Sequence, residues 1–194
     1  MASRLVTGPT GELLPLHVAK DHLRVDHTAE DDLISAQVAA AIGYAEEFNG
    51  WSLVTQTREE AFDCFPCGRR VIELSRPPLR SVASISYVDA DGLPATLDPA
   101  SYVVDTASQP GRVGLAYGAN WPRCRHQLGA VRIVYEAGFG TPDKVPEMAV
   151  AAIKLVLGKL YLHRSDTITG TIVSELGAAD ALLNLATPRI VRFA

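Results

Sequence analysis

The sequence predicts an α+β fold in which both ends of the chain build a helical core around an inserted antiparallel β domain. Three observations predict it. Apolar residues recur at helical spacing from Ile34 to Phe48. β-Branched runs broken by proline and glycine fill the stretch from Leu53 to Tyr135. A second helical stripe runs from Ala149 to Leu160. The implied division is a helical core from residues 1–52 and 141–194, with a β domain over residues 53–140.

The elements follow in order. Pro15 opens a short helix, because the N–H it lacks is not needed in a first turn, and Leu16, Ala19 and Leu23 share a face. Thr28 is the expected N-cap of the next helix, with Asp31 at the capping-box position and acids at the positive helix start. Ile34, Val38, Ala41, Ile42, Ala45 and Phe48 form its stripe, and Asn49-Gly50 ends it. "LVTQTREEAFDCF" and "RRVIELS" read as strands. Pro77-Pro78 then offers no ladder N–H and holds the preceding residue extended, so it turns a corner between strands. "SVASISYV" resumes the β pattern, and Asp91-Gly92 supplies a hairpin turn. "ATLDPASYVVD", "GRVGLAY" and "GAVRIVYEAG" are the later strands. Pro146 opens the third helix, whose stripe is Ala149, Ile153, Val156, Leu157 and Leu160. Ser174 or Asp180 caps a last short helix carrying Leu182, Leu183 and Leu185, and Pro188 stops it before "RIVRFA".

Composition narrows the function. A chain of 194 residues with 47% hydrophobic and 21% charged residues has an ordinary globular mix and room for a sizeable core. A net charge of −4 argues against bulk affinity for DNA, though not against a local patch. "MASRLVTGPTGELLP" has no signal-peptide core, and the longest apolar run, "MAVAAIKLVLG", is interrupted by Lys154. These features predict a soluble protein of a reducing compartment with no membrane partner. Three cysteines, Cys64, Cys67 and Cys124, do not make a disulfide framework.

Motifs for catalysis are missing. The chain has no G-x-S-x-G, no P-loop and no H-E-x-x-H, so no enzymatic activity and no cofactor is expected. The sharpest chemical alternative is a zinc module or small hydrolase on Cys64, Cys67, Cys124 and His126. Its second half, Cys-x-His, needs a turn to bring both ligands to one metal, which Pro122 permits. His17, His22 and His27 recur every five residues, which does not align them on a helix. The acidic pairs Asp31-Asp32, Glu46-Glu47 and Glu59-Glu60 do not converge as acid–base partners. Arginines cluster locally at Arg69, Arg70, Arg76, Arg80, Arg123, Arg125 and Arg132. In an oligomer they can pair with a neighbour's Glu46, Glu59 or Asp63, and as a local basic patch they can bind duplex DNA.

The ordered segments "LHVAKDHLRVDHTAEDDLISAQVAAAIGYAEEFNGWSLVTQT", "IELSRPPLRSVASISYVDADG", "DPASYVVD", "GAVRIVYEAGFG" and "VPEMAVAAIKLVLGKLYLHR" resemble the phage head–tail connector (adaptor, or head-completion) family of tailed phages and gene transfer agents. The resemblance spans residues 14–164, with a weaker echo in "LLNLATPRIVRFA". It implies a structural subunit of a ring, usually dodecameric, at the head–tail junction of a particle made in the bacterial cytoplasm. Its implied partners are identical subunits, the portal protein, and a stopper or tail-completion protein, with DNA passing through the channel without specific binding. By the same analogy Leu182, Leu183, Leu185, Arg189, Ile190, Val191, Arg192 and Phe193 would contact the portal. Closing a ring requires one face of a subunit to meet a different face of the next. The paired cysteines of "DCFPCGRR" depart from a purely structural β unit and keep the zinc alternative open.

Overall fold

Alternation of inward apolar and outward polar side chains builds one unit of this chain, and helical spacing builds another. The computed structural model describes residues 3–68, 70–162 and 177–186. Its described residues divide between a β unit, within 1–11 and 50–141, and a helical unit, within 12–49 and 142–194.

The strands of the β unit are β1 (Ser3–Thr7), β2 (Gln56–Phe62), β3 (Val71–Glu73), β4 (Leu79–Val88), β5 (Pro94–Thr96), β6 (Tyr102–Asp105), β7 (Arg112–Leu115) and β8 (Val131–Ala137). They form a five-stranded sheet in the order β1-β2-β8-β4-β5 and a three-stranded sheet in the order β3-β7-β6. All pairings are antiparallel. β8 is central because its alternation is clean. Val131, Ile133, Tyr135 and Ala137 are fully buried, with Arg132 and Glu136 exposed between them. The buried residues share one core with Phe65, Ile72, Leu74, Leu79, Ile85, Leu97 and Val113, drawn from both sheets.

The proline pair turns the chain from β3, in one sheet, to β4, in the other. The carbonyl of Pro77 accepts the N–H of Ser52 at 3.0 Å, and that of Pro78 accepts the N–H of Gly138 at 2.9 Å. Arg76, expected to be extended, instead has φ 63. The reversal at this corner is thus made by a left-handed residue before the prolines. Asp91-Gly92 closes the β4–β5 hairpin as expected. Asp89 Oδ1 accepts the N–H groups of Asp91 and Leu93 at 2.9 and 2.8 Å.

Two findings in the β unit depart from expectation. Residues 3–7, assigned to the helical part, are an edge strand paired with β2 in the register Ser3↔Glu60 to Leu5↔Arg58. β2 also buries polar side chains: Gln56, Arg58 and Glu60 on one face, beside Ser52. Glu60 Oε1 accepts the Ser75 N–H at 2.8 Å and the Tyr135 hydroxyl at 2.7 Å, and also lies against the Ser75 hydroxyl. Arg58 donates to Ser52 Oγ at 3.1 Å and to Ser3 Oγ at 3.3 Å. Such a network is tolerated in a core because each group has a partner. Burial pushes the Tyr135 phenol above its ordinary pKa, and the negative charge of Glu60 acts in the same direction.

The helical unit contains α1 (Leu16–Leu23), α2 (Asp31–Asn49), α3 (Glu147–Leu162) and α4 (Gly177–Ala186). Pro15 stands at the N-cap of α1, and its carbonyl accepts the Ala19 N–H at 3.0 Å. α2 begins at Asp31 rather than just after Thr28, and the Glu30 carbonyl takes the Ile34 N–H at 2.9 Å. Ile34, Val38, Ala41 and Ala45 are its buried stripe, while Phe48 is exposed. α3 buries Ala149, Ala152, Ile153, Val156 and Leu157. Polar ties link the helices: Lys20 Nζ to Asp31 Oδ1 at 2.7 Å, Gln37 Nε2 to the Leu160 carbonyl at 3.1 Å, and the Tyr161 hydroxyl to Glu30 Oε2 at 2.6 Å.

Candidate assembly surfaces

The surfaces offered to partners follow from what each unit leaves uncovered. In the helical unit α4 packs on α2 and α3. Its side chains divide sharply. Leu183 is 0% exposed, Leu182 is half-buried, and Leu185 is 64% exposed. Leu183 is therefore committed to its own core, and of the three only Leu185 stands fully outward in this conformation. Arg189, Ile190, Val191, Arg192 and Phe193 lie outside the described residues. α4 is also fixed by polar contacts. The Tyr44 hydroxyl donates to Asp180 Oδ1 at 2.6 Å, and Asn49 Nδ2 donates to the Leu183 carbonyl at 3.3 Å. The Asp180 hydrogen bond, with burial and the Asp180 charge behind it, raises the Tyr44 pKa to about 12.

Sequence reasoning missed the outward sides of α2 and α3. α3 reads "EMAVAAIKLVLGKLYL", with charges only at Glu147, Lys154 and Lys159. A helix so apolar on all sides is ordinarily buried all round. Here Met148, Leu155 and Leu162 are exposed. The signal was present in the absence of a polar face.

In the β unit the four candidate ligands do meet. Cys64, Cys67, Cys124 and His126 line one cleft of about 620 Å³, with Phe65, Arg70, Trp121 and Arg123. Phe65 holds the cysteine turn in place, its ring stacked on Trp121 at 5.0 Å and edge-on to Tyr87 at 5.5 Å. Sharing a cleft is not ligation. Among the described residues no group of three or more His, Cys, Asp or Glu is placed to hold a metal ion. Burial pushes the Cys64 thiol up, and Cys124, Cys67 and Asp63 add to it, which lowers its thiolate fraction at neutral pH. Among the described residues these four are therefore not arranged as a zinc site, and the Cys64 thiol is not activated as a nucleophile. The histidines of the helical unit make no such site either: His22 Nε2 lies 3.0 Å from the Lys154 carbonyl.

Several groups expected to await a neighbour are used within the chain. Glu59 bridges Arg4 at 3.1 Å and Arg132 at 3.4 Å. Asp63 accepts the Gly129 N–H at 2.9 Å, and Arg70 donates to the Ala116 carbonyl at 2.9 Å. Asp105 receives the Ser108 hydroxyl at 2.6 Å and Arg112 at 2.6 Å. These donors, the serine foremost, hold its carboxyl well below the usual range.

Comparison with known proteins agrees in kind. No family model matches the sequence, and no curated protein matches it. Solved structures do. A chain from the virion of a native gene transfer agent particle is similar at 25% identity and a TM-score of 0.78, with 98% of each chain covered. A chain from the neck of an empty gene transfer agent particle, computed with C6 symmetry, gives 26% and 0.77 at the same coverage. One from the neck of a native particle, computed with C12 symmetry, gives 25% and 0.76, again over 98% of both chains.

Proposed function

We propose that this chain is a structural neck subunit of a phage-like particle of the gene transfer agent kind. It stands in a ring of twelve identical copies at the head–tail junction, as an adaptor between the portal and a stopper or tail-completion protein. One observation carries the reading: the whole chain, both units included, is similar to chains from particle necks, one of them computed with C12 symmetry. Near-complete coverage in both directions means that both units have counterparts in those chains.

The site chemistry supports a structural role. The buried carboxylate Glu60 and its partners knit the β unit together, and the cysteine–histidine cleft is not arranged for a metal among the described residues. The mild net acidity suits a channel through which DNA slides, because a strongly basic bore would hold phosphates. Portal contact falls to Leu185, with Leu182 beside it and Arg189 to Phe193 beyond.

Labelling tests the reading. A peptide tag inserted at the exposed Asp91-Gly92 turn and decorated with gold should mark purified particles at the neck and nowhere else. Label spread over the head, or absent from intact particles, refutes the role.

A further inference from the structure

If copies of this chain stand in a ring, each must carry two different faces that fit one another, because a cyclic contact joins unlike surfaces. The helical unit has two such faces. On α3 the exposed residues Met148, Ala151, Leu155 and Leu162 follow one another at the a and d positions of a heptad, the spacing of a seam between helices. Met148, Leu155 and Leu162 are 43%, 44% and 75% exposed, and all three are large. On α2 the side opposite its buried stripe carries Leu33, Ala36, Ala40 and Gly43 at the same spacing. Leu33 is 37% exposed, and the other three are small. A Cβ built on Gly43 would meet nothing within 4 Å. One face is a row of knobs and the other a shallow groove.

Their charges are also unlike. α2 carries Asp32, Glu46 and Glu47, with Asp31 already paired to Lys20, and no basic residue, whereas α3 sets Lys154 and Lys159 against Glu147. An apolar seam flanked by lysines therefore matches an apolar groove flanked by carboxylates, and each face would repel its own kind. We propose that the occupant of the α3 stripe is α2 of a second copy of this chain, so that Met148 and Leu155 seat on Ala36, Ala40 and Gly43 of the neighbour. The assignment rests on the ring reading above and adds the surface by which the ring closes. Each copy gives its α3 to one neighbour and its α2 to the other, which makes the contact head to tail.

The experiment uses particles from cells that lack the wild-type gene and co-express two full-length versions, one Ala40→Cys and one Leu155→Cys. A short bifunctional maleimide is added and cross-linked peptides are identified by mass spectrometry. A link between positions 40 and 155 can form only between copies. That link is the expected result, together with at least a tenfold loss of neck-bearing particles for Gly43→Leu. This variant should melt no lower than the wild type, since among the described residues nothing lies within 4 Å of the Cβ it adds. Leu155→Glu is the second variant and should show the same loss. Absence of the unmutated chain from the necks of wild-type particles, examined in parallel, overturns the ring reading and this inference with it. Necks that form normally with both variants, or that yield no 40–155 link, overturn this inference alone. The same holds if position 155 is instead linked only to another position 155, or to the native Cys64, Cys67 or Cys124.

Discussion

Replacing Tyr135 by phenylalanine isolates one hydroxyl at the centre of the β unit. The ring stays in its fully buried place, so no cavity opens. What is lost is a 2.7 Å hydrogen bond to Glu60 Oε1, a 2.9 Å contact with the Ser75 carbonyl and a long 3.4 Å contact with Ser3 Oγ. Glu60 keeps the Ser75 N–H at 2.8 Å, so its charge is not left bare. A hydrogen bond to a charged group contributes roughly 1.5–3 kcal/mol net, which makes the expected loss about 2 kcal/mol. With a denaturant slope of about 2 kcal/mol per molar urea, the midpoint should fall by about 1 M. Trp51 and Trp121, the only tryptophans, both lie in the β unit, so fluorescence reads that unit's unfolding directly. The partner is identified by repeating the change in a Glu60→Gln background, where the loss should shrink by about 1 kcal/mol or more. A midpoint shift below about 0.2 M, or an equal loss in both backgrounds, refutes the claim that this hydroxyl acts through Glu60.

Three further outcomes are expected. Gly138→Ala should cost about 3 kcal/mol or more in the same urea assay, because φ is 130 and the added Cβ would lie 2.6 Å from the Val54 carbonyl oxygen. Tyr44 has a folded pKa of about 12 against an ordinary 10.0, so its contribution to the helical unit is complete below pH 10 and is lost as pH rises toward 12. Tyr44→Phe should remove that part of the alkaline decline, read by circular dichroism. Asp105 is shifted the other way, so its contribution is present above the ordinary value of 3.8 and is lost as pH falls below it. Asp105→Asn should cost about 1 kcal/mol at pH 7 and little at pH 2, measured by urea titration at both.

Much of the fold was legible because its signals are local. The alternation in "AVRIVYEA" marks the central strand, the Asp91-Gly92 turn marks a hairpin, and the 34–45 stripe marks α2. What escaped reading depends on partners far away in sequence. β1 is five residues long and becomes a strand only through its pairing with β2. In "QTREEAF" charges stand on both faces, so the pattern alone does not say that Arg58 and Glu60 turn inward; Ser52, Ser75 and Tyr135 decide that by satisfying them. α2 starts at Asp31 rather than just after Thr28, and Asp31 pairs there with Lys20 of α1, a tertiary contact that the local pattern does not carry. The resemblance offered "LLNLA" as one apolar patch, yet only packing separates the buried Leu183 from the outward Leu185. The spacing of the cysteines suits a ligand set because spacing carries no distances.

A single-particle reconstruction of the neck, from particles whose copies of this chain carry a tag at the Asp91-Gly92 turn, addresses the proposed role most directly. The expected density is one ring of twelve copies, each with the five-stranded and three-stranded sheets and the α2–α3 pair, and with the tag resolved on every copy. A neck in which no ring accommodates this two-unit chain, or in which the tag is missing from all twelve positions, contradicts it.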